Sequence, residues 1–140
     1  MYMPKNITAS QTLTSADAGT PLVVNAAAGL TLTLPAASGT GYGYEIIIGT
    51  TVTSNNVIVA VANASDVMTG YALAGQDSAD TTVLWETAST SDTITLNGST
   101  KGGIKGDRIL LKDIAANLWY VSVIGSATGT EATPFSAAVS

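Results

Sequence analysis

The chain has 140 residues, a formal net charge of −5, and neither cysteine nor histidine. It therefore lacks the usual proton shuttles, thiol nucleophiles and transition-metal ligands, so the composition disfavours an enzyme and predicts no cofactor. The acidic balance argues against nucleic acid as a partner, because phosphate binding needs a basic surface. The size fits one domain, whose core must be mainly aliphatic because aromatic residues make up only 6% of the chain.

Short alternating segments in the first half predict strands joined by tight turns. Residues 29–35 alternate leucine with threonine, which is typical of a strand with one buried face. Residues 21–25 precede them across a turn of small residues, so we expect the two segments to form a hairpin. Residues 44–50 and 57–62 are continuous apolar runs, which predict central strands covered on both faces.

The second half repeats this pattern. Residues 82–87 and 92–97 read as strands, and Asn97-Gly98 favours a turn. The clearest hairpin pairs residues 107–111 with residues 118–124. In its second strand, one face is predicted to carry Trp119, Val121 and Val123, and the other Leu118, Tyr120, Ser122 and Ile124.

The recurrence of turn signals sets the expected fold class. No long segment carries an apolar stripe of helical period, and none is long enough to cross a bilayer, so we expect no membrane association. The pattern predicts an all-β fold: a single antiparallel β-sandwich, jelly-roll-like, or a closely related barrel. Residues 11–125 are the expected sandwich domain. Residues 1–10 form an N-terminal arm and residues 126–140 a C-terminal arm or last strand.

The glycine-rich segments do not match nucleotide-binding motifs. A Walker motif requires lysine directly after its second glycine, but Ile104 follows Gly103. The dinucleotide fingerprint that begins at Gly41 has Ile46 where its third glycine belongs. Neither segment therefore predicts a nucleotide cofactor.

Basic residues cluster in one part of this acidic chain. Four of the five, Lys101, Lys105, Arg108 and Lys112, fall within twelve positions. One interpretation is a solvated loop and strand edge, where lysines discourage edge-to-edge pairing. The other is a docking surface for an acidic partner.

Aspartates near predicted turns raise the question of calcium binding. The candidates are Asp66, Asp77, Asp80 and Asp92. Their spacing matches no EF-hand loop, so ordinary turn aspartates are the favoured interpretation and we predict no metal site.

Two other pairs of residues bear on alternative functions. Glu45 and Glu86 lie within predicted strands and suit carboxylate-pair chemistry only if both face one cleft. Trp85 and Trp119 are predicted to anchor the core, and the alternative, a carbohydrate platform, lacks a supporting aromatic cluster.

Two stretches that frame most of the chain resemble a known family. Residues 7–35 (ITASQTLTSADAG, then PLVVN and GLTLTLP) resemble the opening of small β-modules in tailed-phage virion proteins. Residues 106–125 (GDRILLK, then LWYV) are similar to the final hairpin of the same modules. The shared pattern of Asp-x-Gly, Leu-Pro, Gly-Asp and Trp-x-Val describes a β-module and carries no catalytic residue.

The resemblance implies a structural role. Such modules occur in head decoration (cement, head-stabilising) proteins and in tail or fibre proteins, and a lone module with short arms favours decoration. The resemblance implies a homotrimer or similar cluster, bound to the major capsid protein on the outer capsid surface after synthesis in the host cytoplasm, with no small-molecule substrate. The alternative is a tail, fibre or receptor-binding module with a carbohydrate ligand.

A decoration protein is expected to contact the shell through its flexible arms and through the basic segment, residues 101–112. The candidate capsid-contact residues are Met1, Tyr2, Met3, Pro4, Lys5, Asn6, Lys101, Lys105, Arg108 and Lys112. Self-association, most simply as a trimer, is expected through exposed strand edges and the arms.

Overall fold

The computed structural model describes residues 3–76 and 81–140, and strands dominate both ranges. The strands are β1 (Lys5–Ile7), β2 (Gln11–Thr12), β3 (Pro21–Val24), β4 (Leu30–Thr33), β5 (Gly43–Ile48), β6 (Val57–Ala60), β7 (Val67–Gln76), β8 (Thr82–Glu86), β9 (Thr93–Leu96), β10 (Arg108–Ala115), β11 (Leu118–Ala127) and β12 (Phe135–Ser136). Within these two ranges the only helical segment is a three-residue 3-10 turn, Ser15–Asp17. The described chain thus holds no helix long and apolar enough to cross a membrane. The all-β prediction is confirmed.

The strands form two mixed sheets that do not close into a barrel. In the described ranges, a large sheet has the order β1-β3-β5-β10-β11-β7-β8 and a small sheet the order β12-β9-β6-β4-β2. Buried side chains from both sheets belong to one hydrophobic cluster. The expected barrel is therefore wrong. Purely antiparallel pairing is wrong as well, because β1 with β3, β3 with β5, β2 with β4, β4 with β6, and β7 with β11 are parallel pairs.

The first six strands alternate between the sheets, which explains why the predicted first hairpin is wrong. β1, β3 and β5 lie side by side in the large sheet, while β2, β4 and β6 lie side by side in the small one. Their registers stack aliphatic residues into ladders, such as Ile7 on Val24 on Ile48. Alternating apolar residues specify which face of a strand is buried, but not its partner. Both β3 and β4 bury their alternating apolar side chains in the core, but β3 does so from the large sheet and β4 from the small sheet.

The continuous apolar runs are covered on one face only. In β5, Tyr44, Ile46 and Ile48 are buried, whereas Glu45 and Ile47 are half-buried. β6 shows the same alternation. The expectation of cover on both faces is therefore wrong, because the outward side chains are shielded only in part.

The last predicted hairpin is confirmed and lies in the middle of the large sheet. β10 and β11 pair antiparallel, with a register shift between Asp113 and Ala115. Trp119 and Val121 are buried, and Tyr120 on the opposite face is exposed, as predicted. On its other side β11 pairs in parallel with β7 along its whole length.

Candidate docking surfaces

The structure divides the four clustered basic residues between a loop and a sheet. Lys101 and Lys105 lie in residues 97–107, which connect β9 of the small sheet to β10 of the large sheet and are called the basic loop below. Arg108 and Lys112 alternate with buried residues along β10 and lie on its outward side. Within the described ranges none of the four forms an ion pair. The basic segment therefore presents its charges on two surfaces.

Asn97 fixes the start of the basic loop. Its Oδ1 accepts hydrogen bonds from the backbone N–H groups of Ser99 (3.0 Å) and Lys101 (2.9 Å). Backbone N–H of Gly98 donates to the carbonyl of Gly102 at 2.7 Å and closes the turn. The turn predicted from Asn97-Gly98 is confirmed, and it gives Lys101 a fixed backbone position.

Asp107 fixes the end of the basic loop. Its Oδ2 accepts from the N–H groups of Gly103 (2.9 Å) and Ile104 (3.1 Å), and its Oδ1 accepts from the N–H of Ser126 (3.1 Å) in β11. Burial raises the pKa of Asp107, and because these hydrogen bonds offset only part of the rise, the pKa stays above its ordinary value. With both ends held, docking of the loop costs little further ordering of its backbone.

The chain before β1 contributes little described surface. Met1 and Tyr2 lie outside the described residues. Met3 is 79% exposed, and Pro4 is also exposed. These two are the only described residues of the predicted N-terminal contact segment that precede the sheet.

Lys5 and Asn6 belong to the large sheet, as part of its edge strand β1. The Nζ of Lys5 forms an ion pair with Asp17 at 2.7 Å, and Asn6 Oδ1 accepts a hydrogen bond from Asn25 Nδ2 at 2.8 Å. Burial raises the pKa of Asp17, but Lys5 and the N–H of Thr14 outweigh it and leave the pKa below its ordinary value. The charge of Lys5 is thus already paired, unlike those of the basic loop.

A second candidate surface is the side of the large sheet that faces away from the core, called the outer face below. Its exposed apolar side chains are Tyr71, Leu73, Leu84, Tyr120 and Ile124. They are contiguous, since Leu73 opposes Leu84 on β8 and Ile124 on β11. A shallow groove of about 370 Å³ is lined by four of them, all but Tyr120. Their summed exposed area, on the order of 400 Å², is that of the largest apolar patch on a typical monomer, which is often functional.

Four charged side chains border the apolar part of the outer face. Glu86 lies on the edge strand β8, whereas Arg108, Lys112 and Glu45 lie on β10 and β5 at the other side. The four formal charges of the face sum to zero, with the acid Glu86 on one flank and two bases together with the acid Glu45 on the other.

The positions of Glu45 and Glu86 exclude their action as a carboxylate pair. Tyr71, Ser122 and Leu110 separate them along one row across the sheet. Four strand spacings correspond to about 19 Å. Glycoside-hydrolysing pairs need about 5 to 9.5 Å between carboxyl groups.

Buried aspartates connect loops to strands throughout the fold. They are Asp17, Asp66, Asp92, Asp107 and Asp113. Of the calcium candidates, Asp66 accepts from the N–H of Ala37 (2.9 Å), and Asp92 from those of Val139 (3.2 Å) and Ser140 (2.9 Å). Asp77 and Asp80 lie outside the described residues. Within the described ranges no group of three potential ligands forms, and these two aspartates serve as backbone anchors.

Asp113 makes the densest of these connections. Its carboxylate accepts from the N–H groups of Ser38, Gly39 (2.7 Å) and Thr40, and from the hydroxyl of Thr40 (2.8 Å). Burial raises the pKa of Asp113, but these four donors outweigh it and hold the pKa below its ordinary value. One side chain thus fixes the loop that leads into β5.

The tryptophans are core residues, as predicted. Trp119 is 1% exposed and packs against Tyr44, with ring centroids 5.9 Å apart. Trp85 is partly buried against the same cluster. A groove of about 420 Å³ adjoins Trp119 and Tyr44, but neither of these two rings has an exposed face for a sugar to stack on.

Comparison of the chain with models of known protein families, with curated proteins and with solved structures gives no match in any of the three. Among the described residues, the basic loop and the outer face are two surfaces that could engage a partner. Sequence reasoning identified the lysines of the first. It missed the second, although the alternation in β11 had already placed Tyr120 and Ile124 together.

Proposed function

We propose that this chain is a structural, non-catalytic virion protein that decorates the outer surface of a tailed-phage capsid and stabilises it by binding the major capsid protein. The basic loop carries the proposal, because it presents Lys101 and Lys105 from a backbone held by Asn97 and Asp107. The resemblance of residues 7–35 and 106–125 to phage β-modules supplies the class of partner.

A preorganised basic loop suits attachment to an assembled shell. The chain is acidic overall, so a local excess of positive charge favours one orientation towards an acidic surface. Such contacts are screened over about 8 Å at physiological ionic strength, and attachment should weaken with salt.

The fold proposed for this role is a β-sandwich. One hydrophobic cluster shared by the two sheets supports face-to-face packing. The mixed pairing departs from an antiparallel jelly-roll. Buried carboxylates that anchor loops and the C-terminal residues, as Asp113 and Asp92 do, suit a protein that must resist load on a capsid.

Neutralising the basic loop is expected to reduce capsid binding. Lys101→Gln with Lys105→Gln should raise the concentration needed for half-occupancy of shells roughly two- to thirtyfold, because each of the two exposed charges contributes about 0.2–1 kcal/mol. Occupancy is measured by co-sedimentation with purified shells that lack the protein, at two salt concentrations.

A matched control separates the site from net charge. Ala64→Glu with Thr90→Glu changes the net charge by the same two units at exposed positions beside the start of β7. The basic loop contacts the end of β11 at Ser126, and so lies at the opposite end of the large sheet. Equal binding by the glutamine variant and the parent would refute the loop contact. Binding to tails or to glycans, and not to heads, would favour the receptor-binding alternative.

A further inference from the structure

We propose that the outer face pairs with the outer face of a second copy of this chain, related by a two-fold axis. The face has exposed apolar side chains at its centre. Its flanks are opposite in net charge, −1 at Glu86 on β8 and +1 for Arg108, Lys112 and Glu45 together, so the face is complementary to itself. The inference goes beyond capsid binding and does not depend on it.

The strand order suggests where the axis lies. β11 and β7 are the middle pair of the run β10-β11-β7-β8. We place the two-fold axis parallel to the strands, midway between β11 and β7. Rotation about this axis puts β7 of one copy over β11 of the second copy, and β8 of one copy over β10 of the second copy. Leu73 and Ile124 are directly opposite in the register, so Leu73 of one copy then faces Ile124 of the second copy, twice over.

The same operation pairs the charges. Glu86 shares a row with Leu110, through Tyr71 and Ser122. Glu86 of one copy therefore lies over Leu110 of the second copy, between Arg108 and Lys112 along β10 and beside Glu45 on β5. The three charges around Leu110 sum to +1, so Glu86 still meets a net positive charge. Two such acid–base contacts flank the apolar centre, and this complementarity favours a second copy over a partner of single charge sign.

The dimensions suit a modest interface. The four strands that overlap in this arrangement, β8 to β10, span about 15 Å, and six residues of a strand extend about 20 Å. The overlapping area, on the order of 300 Å², is less than half of the about 800 Å² per partner that stable interfaces of standard size bury. We therefore expect dissociation at low concentration and a two-chain species at high concentration.

Sedimentation equilibrium on charge-reversed variants tests the pairing. The dissociation constant of the parent's two-chain species should be below about 100 μM. Glu86→Lys and Lys112→Glu should each raise the dissociation constant at least tenfold, because each places like charges together at both flanks. An equimolar mixture of the two variants should restore pairing, since the mixed dimer has opposite charges at both flanks.

The exposed positions of Glu86 and Lys112 allow these changes without loss of the fold, which far-UV circular dichroism checks. Leu84→Lys, at a side chain 57% exposed, gives a second disruption through the apolar centre. A parent that stays a monomer at about 100 μM, or that forms the trimer expected from the sequence, would refute the proposal. So would charge reversals without effect, or a mixture that pairs no better than its components. Capsid binding, measured separately, can fail without bearing on these results.

Discussion

Gly70→Ala is expected to abolish stable folding. Gly70 lies in β7 opposite Val121 of β11, with φ of 150°, and a Cβ at this position would overlap the carbonyl oxygen of Val121. Relief requires β7 and β11 to separate in the middle of the large sheet, which disrupts the ladder on both sides. We expect the free energy of unfolding to fall by about 4 kcal/mol or more, the range that marks a specific structural conflict.

The matched control is Gly75→Ala in the same strand. A Cβ at Gly75 meets no atom of residues 3–76 and 81–140 within 4 Å, and the φ of Gly75 is not positive. This variant should unfold in urea within about 0.5 kcal/mol of the parent, because alanine restricts the unfolded chain without straining the fold. Comparable stability of the two variants would contradict the close approach of β7 and β11.

Asp113→Asn is expected to have the second-largest effect and to lower the free energy of unfolding by about 2–4 kcal/mol. The amide replaces one accepting oxygen by an NH₂ group, which meets backbone donors of Ser38, Gly39 or Thr40 and leaves them buried without an acceptor. The measurement is the urea midpoint at unchanged m-value.

Asp66→Asn is the control at a neighbouring anchor. Asp66 is as buried as Asp113 but accepts from a single described donor, the N–H of Ala37, and its Oδ1 has no described partner. Asparagine keeps that bond and places its NH₂ where the free oxygen lies. Asp66→Asn should lower the free energy of unfolding by less than about 1 kcal/mol. Equal decreases for Asp66→Asn and Asp113→Asn would show that burial of the carboxylate, and not the number of its hydrogen-bond donors, determines the loss of stability.

The loss at Asp113 should depend on pH. In the unfolded chain the carboxyl has a pKa near 3.8, and in the fold its pKa is lower. The unfolded state therefore binds the proton first as the pH falls, and the stabilisation is lost as the pH falls from about 3.8 through the folded-state pKa. The difference in free energy of unfolding between the parent and Asp113→Asn should have its largest value above about pH 5 and become smaller as the pH falls below that. Asp107 acts in the opposite direction, because its pKa is raised.

The sequence predicts those parts of the fold that depend on one strand and its nearest neighbour. Alternation assigned the buried face of β11 correctly, and residues 107–111 and 118–124 pair as expected. It could not assign partners to β3 and β4, because parallel pairing across alternating sheets leaves no local turn signal. The pairing depends instead on contacts between residues distant in sequence, such as Val24 and Ile48.

The surfaces were predictable in part. Clustering identified Lys101 and Lys105, but not that Arg108 and Lys112 lie on a different surface. Asp113 follows Ile109 and Leu111 at a spacing of two, and an acid in phase with core positions is a readable sign of a buried, hydrogen-bonded carboxylate. For the outer face the sequence shows only that Tyr120 and Ile124 share one side of β11, because the exposure of that side depends on which strands neighbour β7 and β11.

Electron cryo-microscopy of the intact virion tests the proposed role most directly. We expect density for this two-sheet domain on the outside of the head, with the basic loop directed towards the major capsid protein. Density for the domain at the tail or inside the shell would contradict it. So would a position on the head in which residues 97–107 face the solvent.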